Sequence, residues 1–231
     1  MSDRIFVSGD GSLKEWDDNP MPETTPLLRV LGVIFSYLFH PLFIPVYLIG
    51  FMIIAPPYFL GFDERNKWII LVRFFVIYSF FPLVTVLLAK GLGFVESLYL
   101  RGRRERIIPY IACGIFYFWM WYVLRNQPEF PRELVLLALG IFLSSSLGLI
   151  GNIYMKVSMH AISMGIAITF MGYLTLHNGS NLAPYWMITL AIAGLVCTAR
   201  LLVSNHRPVE IYLGLFIGFL CQFIAFYVDF R

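Results

Sequence analysis

The sequence predicts an all-α fold, a polytopic transmembrane bundle of about seven helices. Three observations carry that reading. Only 13% of the 231 residues are charged, about half the share of an ordinary soluble domain. Hydrophobic residues make up 59%. Polar stretches cut the rest of the chain into apolar runs of about 20 residues, the length that crosses a bilayer as a helix. Inside lipid only a helix or a closed barrel satisfies its own backbone groups, so each run is assigned as helix.

Residues 1–28 differ from the rest. This stretch is polar, acidic and rich in turn formers. It lacks a basic region leading into an apolar core, so it is not read as a secretory signal. It is expected to be a mobile tail, with a short amphipathic piece around Trp16 left open. Residues 29–231 form the helical domain.

The first apolar segment runs from about Val30 to Ile54. Pro41 and Pro45 inside it predict a kinked helix rather than a break. The second covers about Trp68 to Leu88. The basic stretch "YLRGRRERIIPY" follows it. The third, about Ile107 to Leu124, is dense in aromatics. The fourth covers about Leu134 to Ile150 and leads into "GNIYMKVSMH". The fifth covers about Ala161 to Leu176, the sixth about Tyr185 to Leu202, and the seventh about Val209 to Tyr227. Gly214 and Gly218 form a G-x-x-x-G step, and Gly165 and Gly172 lie seven apart, which marks close helix packing. Cys113, Cys197 and Cys221 all lie in apolar runs. Their odd number and spacing predict neither a disulfide framework nor a zinc site. No cofactor is expected.

Three polar clusters stand between these segments. The arginines Arg101, Arg103, Arg104 and Arg106 follow the second segment, "KVSMH" follows the fourth and "ARLLVSNHRPVE" follows the sixth. Two crossings separate each from the next, so all three emerge on one membrane face. In the middle cluster, Ser158 reads as a helix N-cap, Lys156 as a snorkelling anchor and His160 as an interfacial histidine. The same residues also suit an anion held at a helix N-terminus. In the last cluster, Pro208 suits a first helical turn. Glu210 is four residues beyond His206 and can hold one imidazole nitrogen while the other stays reactive. Arg200 can reach the same place. Such a group can also be an interfacial ion pair, and the arginine cluster can serve topology or lipid head groups alone. Together the clusters supply cations, a helix N-terminus and two histidines, an inventory that suits a phosphate ester.

These residues resemble the type 2 phosphatidic acid phosphatase superfamily, the membrane lipid phosphatases related to vanadium haloperoxidases. That family carries K-x6-R-P, then P-S-G-H, then S-R-x5-H-x3-D. Here the third motif reads Arg200-x5-His206-x3-Glu210, with Ala199 for the serine and Glu210 for the aspartate. The second reads "VSMH", with Val157 and Met159 for the proline and glycine. For the first, Pro109 matches the proline, Arg101 takes the lysine position, and Ile108 stands where the arginine belongs. Arg104 or Arg106 supplies that charge from a shifted position. The resemblance covers about residues 100 to 220. It implies a six-helix phosphatase-like core. It also implies His206 as a nucleophile forming a phosphohistidine, oriented by Glu210, with His160 as general acid. Arg200, Ser158, Lys156, Arg101, Arg104 and Arg106 would hold the phosphate.

The expected function is hydrolysis of a lipid phosphate monoester or diphosphate, of the phosphatidate, phosphatidylglycerol phosphate or polyprenyl phosphate class. The alternative is an inactive lipid-phosphate-binding or scaffold protein of the same fold. A flippase is a third, weaker reading, since no inverted repeat is evident. The expected partners are the phosphorylated lipid and the surrounding membrane lipids, with no nucleic acid. The resemblance implies a bacterial inner membrane. Eleven of the 17 Lys and Arg fall on the cluster side, but seven of those belong to the clusters. The positive-inside rule therefore leaves the face of the site open. His40 lies mid-segment beside Pro41. It reads as a buried histidine bonded to a carbonyl freed by the proline, or as part of a lipid cavity.

Overall fold

The structure is a computed structural model that describes residues 5–7, 13–15, 25–55, 57–94, 103–178, 180–204 and 206–228. Among these residues there are eight helices. They are α1 (Pro26–Leu38), α2 (Ile44–Ile54), α3 (Glu64–Gly91), α4 (Ile107–Arg125), α5 (Arg132–Tyr154), α6 (Met159–Asn178), α7 (Ala183–Val203) and α8 (Pro208–Tyr227). The last six are long and apolar enough to cross a membrane, and the chain is an integral membrane helical bundle. In the tail, β1 (Ile5–Val7) pairs antiparallel with β2 (Leu13–Glu15), a ribbon the sequence does not announce. Trp16 lies outside the described residues.

Helices α5, α6 and α8 form the centre. Helix α4 packs on α5, α7 on α6, and α1 on α7. Glycines set the closest approach. A Cβ at Gly218 would lie 2.1 Å from the Ile162 carbonyl, and one at Gly165 would lie 2.3 Å from that of Leu215. Only hydrogen at these positions lets the α6 and α8 backbones meet. Large side chains such as Ile115, Trp119, Phe216 and Phe223 remain exposed on the outer faces, where lipid takes the place of water.

The first apolar segment departs from expectation. It is not one kinked helix but two short helices of 13 and 11 residues, α1 and α2. Neither alone reaches the length of a crossing. Gly32 of α1 lies against Ala199 and Val203 at the end of α7. Phe51 of α2 lies 5.1 Å, ring to ring, from Tyr185 in the first turn of α7. The first helix packs along α7, whereas the second touches the first turn of α7 and packs mainly on α3 and α6. Proline at position 41 removes a donor, and Pro45 starts the next helix near its first turn.

The carbonyls around the break are then satisfied by side chains of α2, α3 and α6. His160 Nε2 donates to the Ser36 carbonyl at 3.0 Å, and the Tyr47 hydroxyl donates to that of Leu38 at 2.9 Å. The Ser79 hydroxyl donates to that of Leu42 at 2.7 Å. Backbone polar groups at membrane depth need such partners. Helix α3 shows the same logic. Pro82 cannot donate to the carbonyl of Tyr78, four residues back. The helix loosens into a π-turn over Val76–Phe80, and the Tyr117 hydroxyl donates to that carbonyl at 3.3 Å.

Candidate functional site

Helix α8 starts at Pro208, so His206 precedes it and does not share a helical face with Glu210. The pair forms by capping instead. The Glu210 side chain folds back over the helix start, where one oxygen accepts the Arg207 backbone N–H at 3.1 Å. The same oxygen lies 2.8 Å from His206 Nδ1. This fixes the ring through Nδ1 and leaves Nε2 as its second nitrogen, and His206 lines a cavity. His206 is 7% exposed and Glu210 is 9% exposed. Burial pushes the His206 imidazole below its ordinary value of 6.5. The bond and charge of Glu210 pull it upward, and the Arg106 and Arg200 charges push it down.

The cavity has a volume of about 740 Å³, within the size range of small-molecule sites. Its basic lining comes from several elements: Arg29 on α1, His40 at the α1–α2 break, Lys90 on α3, Arg106 before α4, Lys156 and His160 around the start of α6, Arg200 on α7, and His206. Among the described residues no carboxylate lines it; Glu210 stands behind His206. Arg200 Nε is buried and has no hydrogen-bond partner among the described residues. Away from the cations the walls become apolar, with Leu42, Leu48, Leu83, Val86, Ile141 and Ile166. The chamber thus has a cationic end and a hydrocarbon end.

The three sequence clusters do converge here, though not every residue of them enters the cavity. Arg106 reaches across and donates to the Val157 carbonyl at 3.0 Å, tying the arginine stretch to the start of α6. The Ser158 N–H donates to the Glu210 carbonyl at 3.2 Å, tying that start to α8. Ser158 itself is fully buried, is not a lining residue, and accepts the Ala161 N–H at 3.4 Å as a helix cap. Arg103 donates to the Ile153 and Tyr154 carbonyls and so closes the end of α5. Arg101 and the Arg104 side chain lie outside the described residues. His160 lines the cavity, but its Nε2 is engaged by Ser36.

Arg29 and Lys90 join the cavity without having been placed there by sequence, while His40 lines it as one of its two sequence readings allowed. Arg29 and Lys90 stand far from the motifs along the chain and carry no spacing signal. The histidine beside Pro41 did carry one. Among the described residues it makes no bond to a freed carbonyl: its Nδ1 accepts the Leu42 N–H, and it is His160 that bonds the Ser36 carbonyl. Comparisons with family models, with curated proteins and with solved structures returned no significant match.

Proposed function

We propose that this chain is a membrane phosphatase of the type 2 phosphatidic acid phosphatase kind, acting on a lipid phosphate through a phosphohistidine. One observation carries the reading. The His206–Glu210 pair opens its free nitrogen into a buried cationic cavity that continues into an apolar one. A phosphorylated amphiphile fits both ends. Its phosphoryl oxygens would take the charges of Arg200, Arg106 and Lys156, and its chain the apolar walls.

In the reaction, His206 Nε2 attacks phosphorus and the bond to the leaving oxygen breaks. Glu210 stabilises the cationic ring that results. His160 protonates the leaving oxygen after exchanging its bond to Ser36. Water then hydrolyses the phosphohistidine. The test is inorganic phosphate release by the purified chain from phosphatidate, phosphatidylglycerol phosphate and polyprenyl diphosphate. His206→Ala is expected to abolish release. Equal release from that variant would sink the proposal.

A second reading is a binder of the same lipids without turnover. The engagement of His160 by Ser36 and the withdrawal of Ser158 from the cavity favour it. Saturable binding of those lipids with no release by the wild-type chain would select it.

A further inference from the structure

We propose that His40 is a phosphate-binding residue, a neutral imidazole whose Nε2–H donates to a phosphoryl oxygen. The inference rests on the reading that the cavity takes a phosphate. It adds a ligand from outside the three motif stretches, carried on the broken first segment.

The helix break sets the position. Had α1 continued through residue 40, the His40 ring would project from a regular helix. Instead the chain turns at Phe39–Phe43, and His40 lines the cavity. Its ring centroid lies 5.4 Å from that of His160, edge to face at 80°. The same turn thus anchors both histidines: His160 through the Ser36 carbonyl, His40 through its own backbone.

The tautomer follows from hydrogen bonding. The Leu42 N–H donates to His40 Nδ1 at 3.4 Å. A nitrogen that accepts a backbone N–H carries no proton, so the neutral ring holds its proton on Nε2. Among the described residues that Nε2–H has no protein partner. A donor on the wall of a cavity can be met by an acceptor held inside it. The surrounding charges name its chemistry. Arg106, Lys156 and Arg200 line the same space, and the unpartnered Arg200 Nε is a buried donor needing an acceptor. A phosphoryl group offers several acceptor oxygens at once. No proton leaves His40 in this role, so it is distinct from the acid assigned to His160.

The experiment uses the full chain, 15N-labelled at histidine, in detergent micelles, titrated with inorganic phosphate. The chain has four histidines, and His177, exposed at the far end of α6, serves as the internal reference. The His40 Nε2 signal is expected to move with phosphate together with His206, while His177 stays still. His40→Phe should weaken phosphate binding about tenfold, and His40→Gln, which keeps a donor, by less than about threefold. A moving His206 with a still His40 overturns the inference, as does unchanged affinity in His40→Phe. No response from any histidine overturns both this inference and the phosphate reading beneath it. A responding His40 in a chain that releases no phosphate from lipids overturns only the phosphatase reading.

Discussion

Burial holds His206 below the ordinary histidine value of 6.5, against the upward pull of Glu210. The ring is therefore neutral at pH 7, and its Nε2 lone pair is available for attack. Protonation on the acid side removes that lone pair. The acid limb of kcat/KM for phosphate release should accordingly lie below pH 6.5, with rates falling as pH drops through it. Glu210→Gln removes the carboxylate that raises His206, so the limb should move further to the acid side. The plateau rate should drop by about 10²–10⁴-fold, the scale seen when a carboxylate orienting a catalytic histidine is made an amide. A pH–rate profile of both proteins checks this, and a Glu210→Gln limb shifted toward alkaline pH contradicts the assignment. The pair itself was legible because both members sit four residues apart. Arg29 was not, because it meets the His206 stretch only through the α1–α7 contact, more than 160 residues away along the chain. Ser158 was legible in its plainer role, as a cap.

The elements divide in the same way between what spacing can show and what only packing decides. The steps Gly214–Gly218 and Gly165 were readable as a close helix contact, because small residues at helical spacing have few other uses in lipid. The break between α1 and α2 was not readable. Pro41 and Pro45 are compatible with a kink or a rupture. The choice fell to His160 on α6, Ser79 on α3 and Tyr47 on α2 itself, which satisfy carbonyls around the rupture. The glycine contact gives a direct prediction. Gly218→Ala places a methyl 2.1 Å from the Ile162 carbonyl oxygen, and backbone cannot yield as a side chain tip can. Overpacking of this kind costs about 1–3 kcal/mol. Gly194→Ala meets nothing within 4 Å and should stay within about 0.5 kcal/mol of wild type. Unfolding midpoints in detergent compare the two. Because Ser158 and Glu210 are joined across the same α6–α8 seam, Gly218→Ala should also lower phosphate release while Gly194→Ala leaves it intact.

At the scale of the whole molecule, the site depends on which ends of the helices share a membrane face. The chain crosses once between Asp63 and Lys90 along α3, then twice between Arg106 and Lys156, and twice more between Ser158 and His206. The junctions before α4, before α6 and before α8 must then lie together, and the contacts Arg106 to Val157 and Ser158 to Glu210 join them. That relation holds whether the broken α1–α2 element counts as a crossing or not. Labelling separates the two faces. The native thiols Cys113, Cys197 and Cys221 lie within α4, α7 and α8, so they give little background with a charged, membrane-impermeant maleimide. Single cysteines at Lys156 and Arg207 should label from one side of sealed vesicles. Cysteines at Arg65 and Glu129 should label only from the other. Opposite sidedness for Lys156→Cys and Arg207→Cys would break the shared face, and with it any site built from α6 and α8 together. Agreement between them, read against vesicles of known orientation, also fixes the compartment from which the lipid's phosphate is reached.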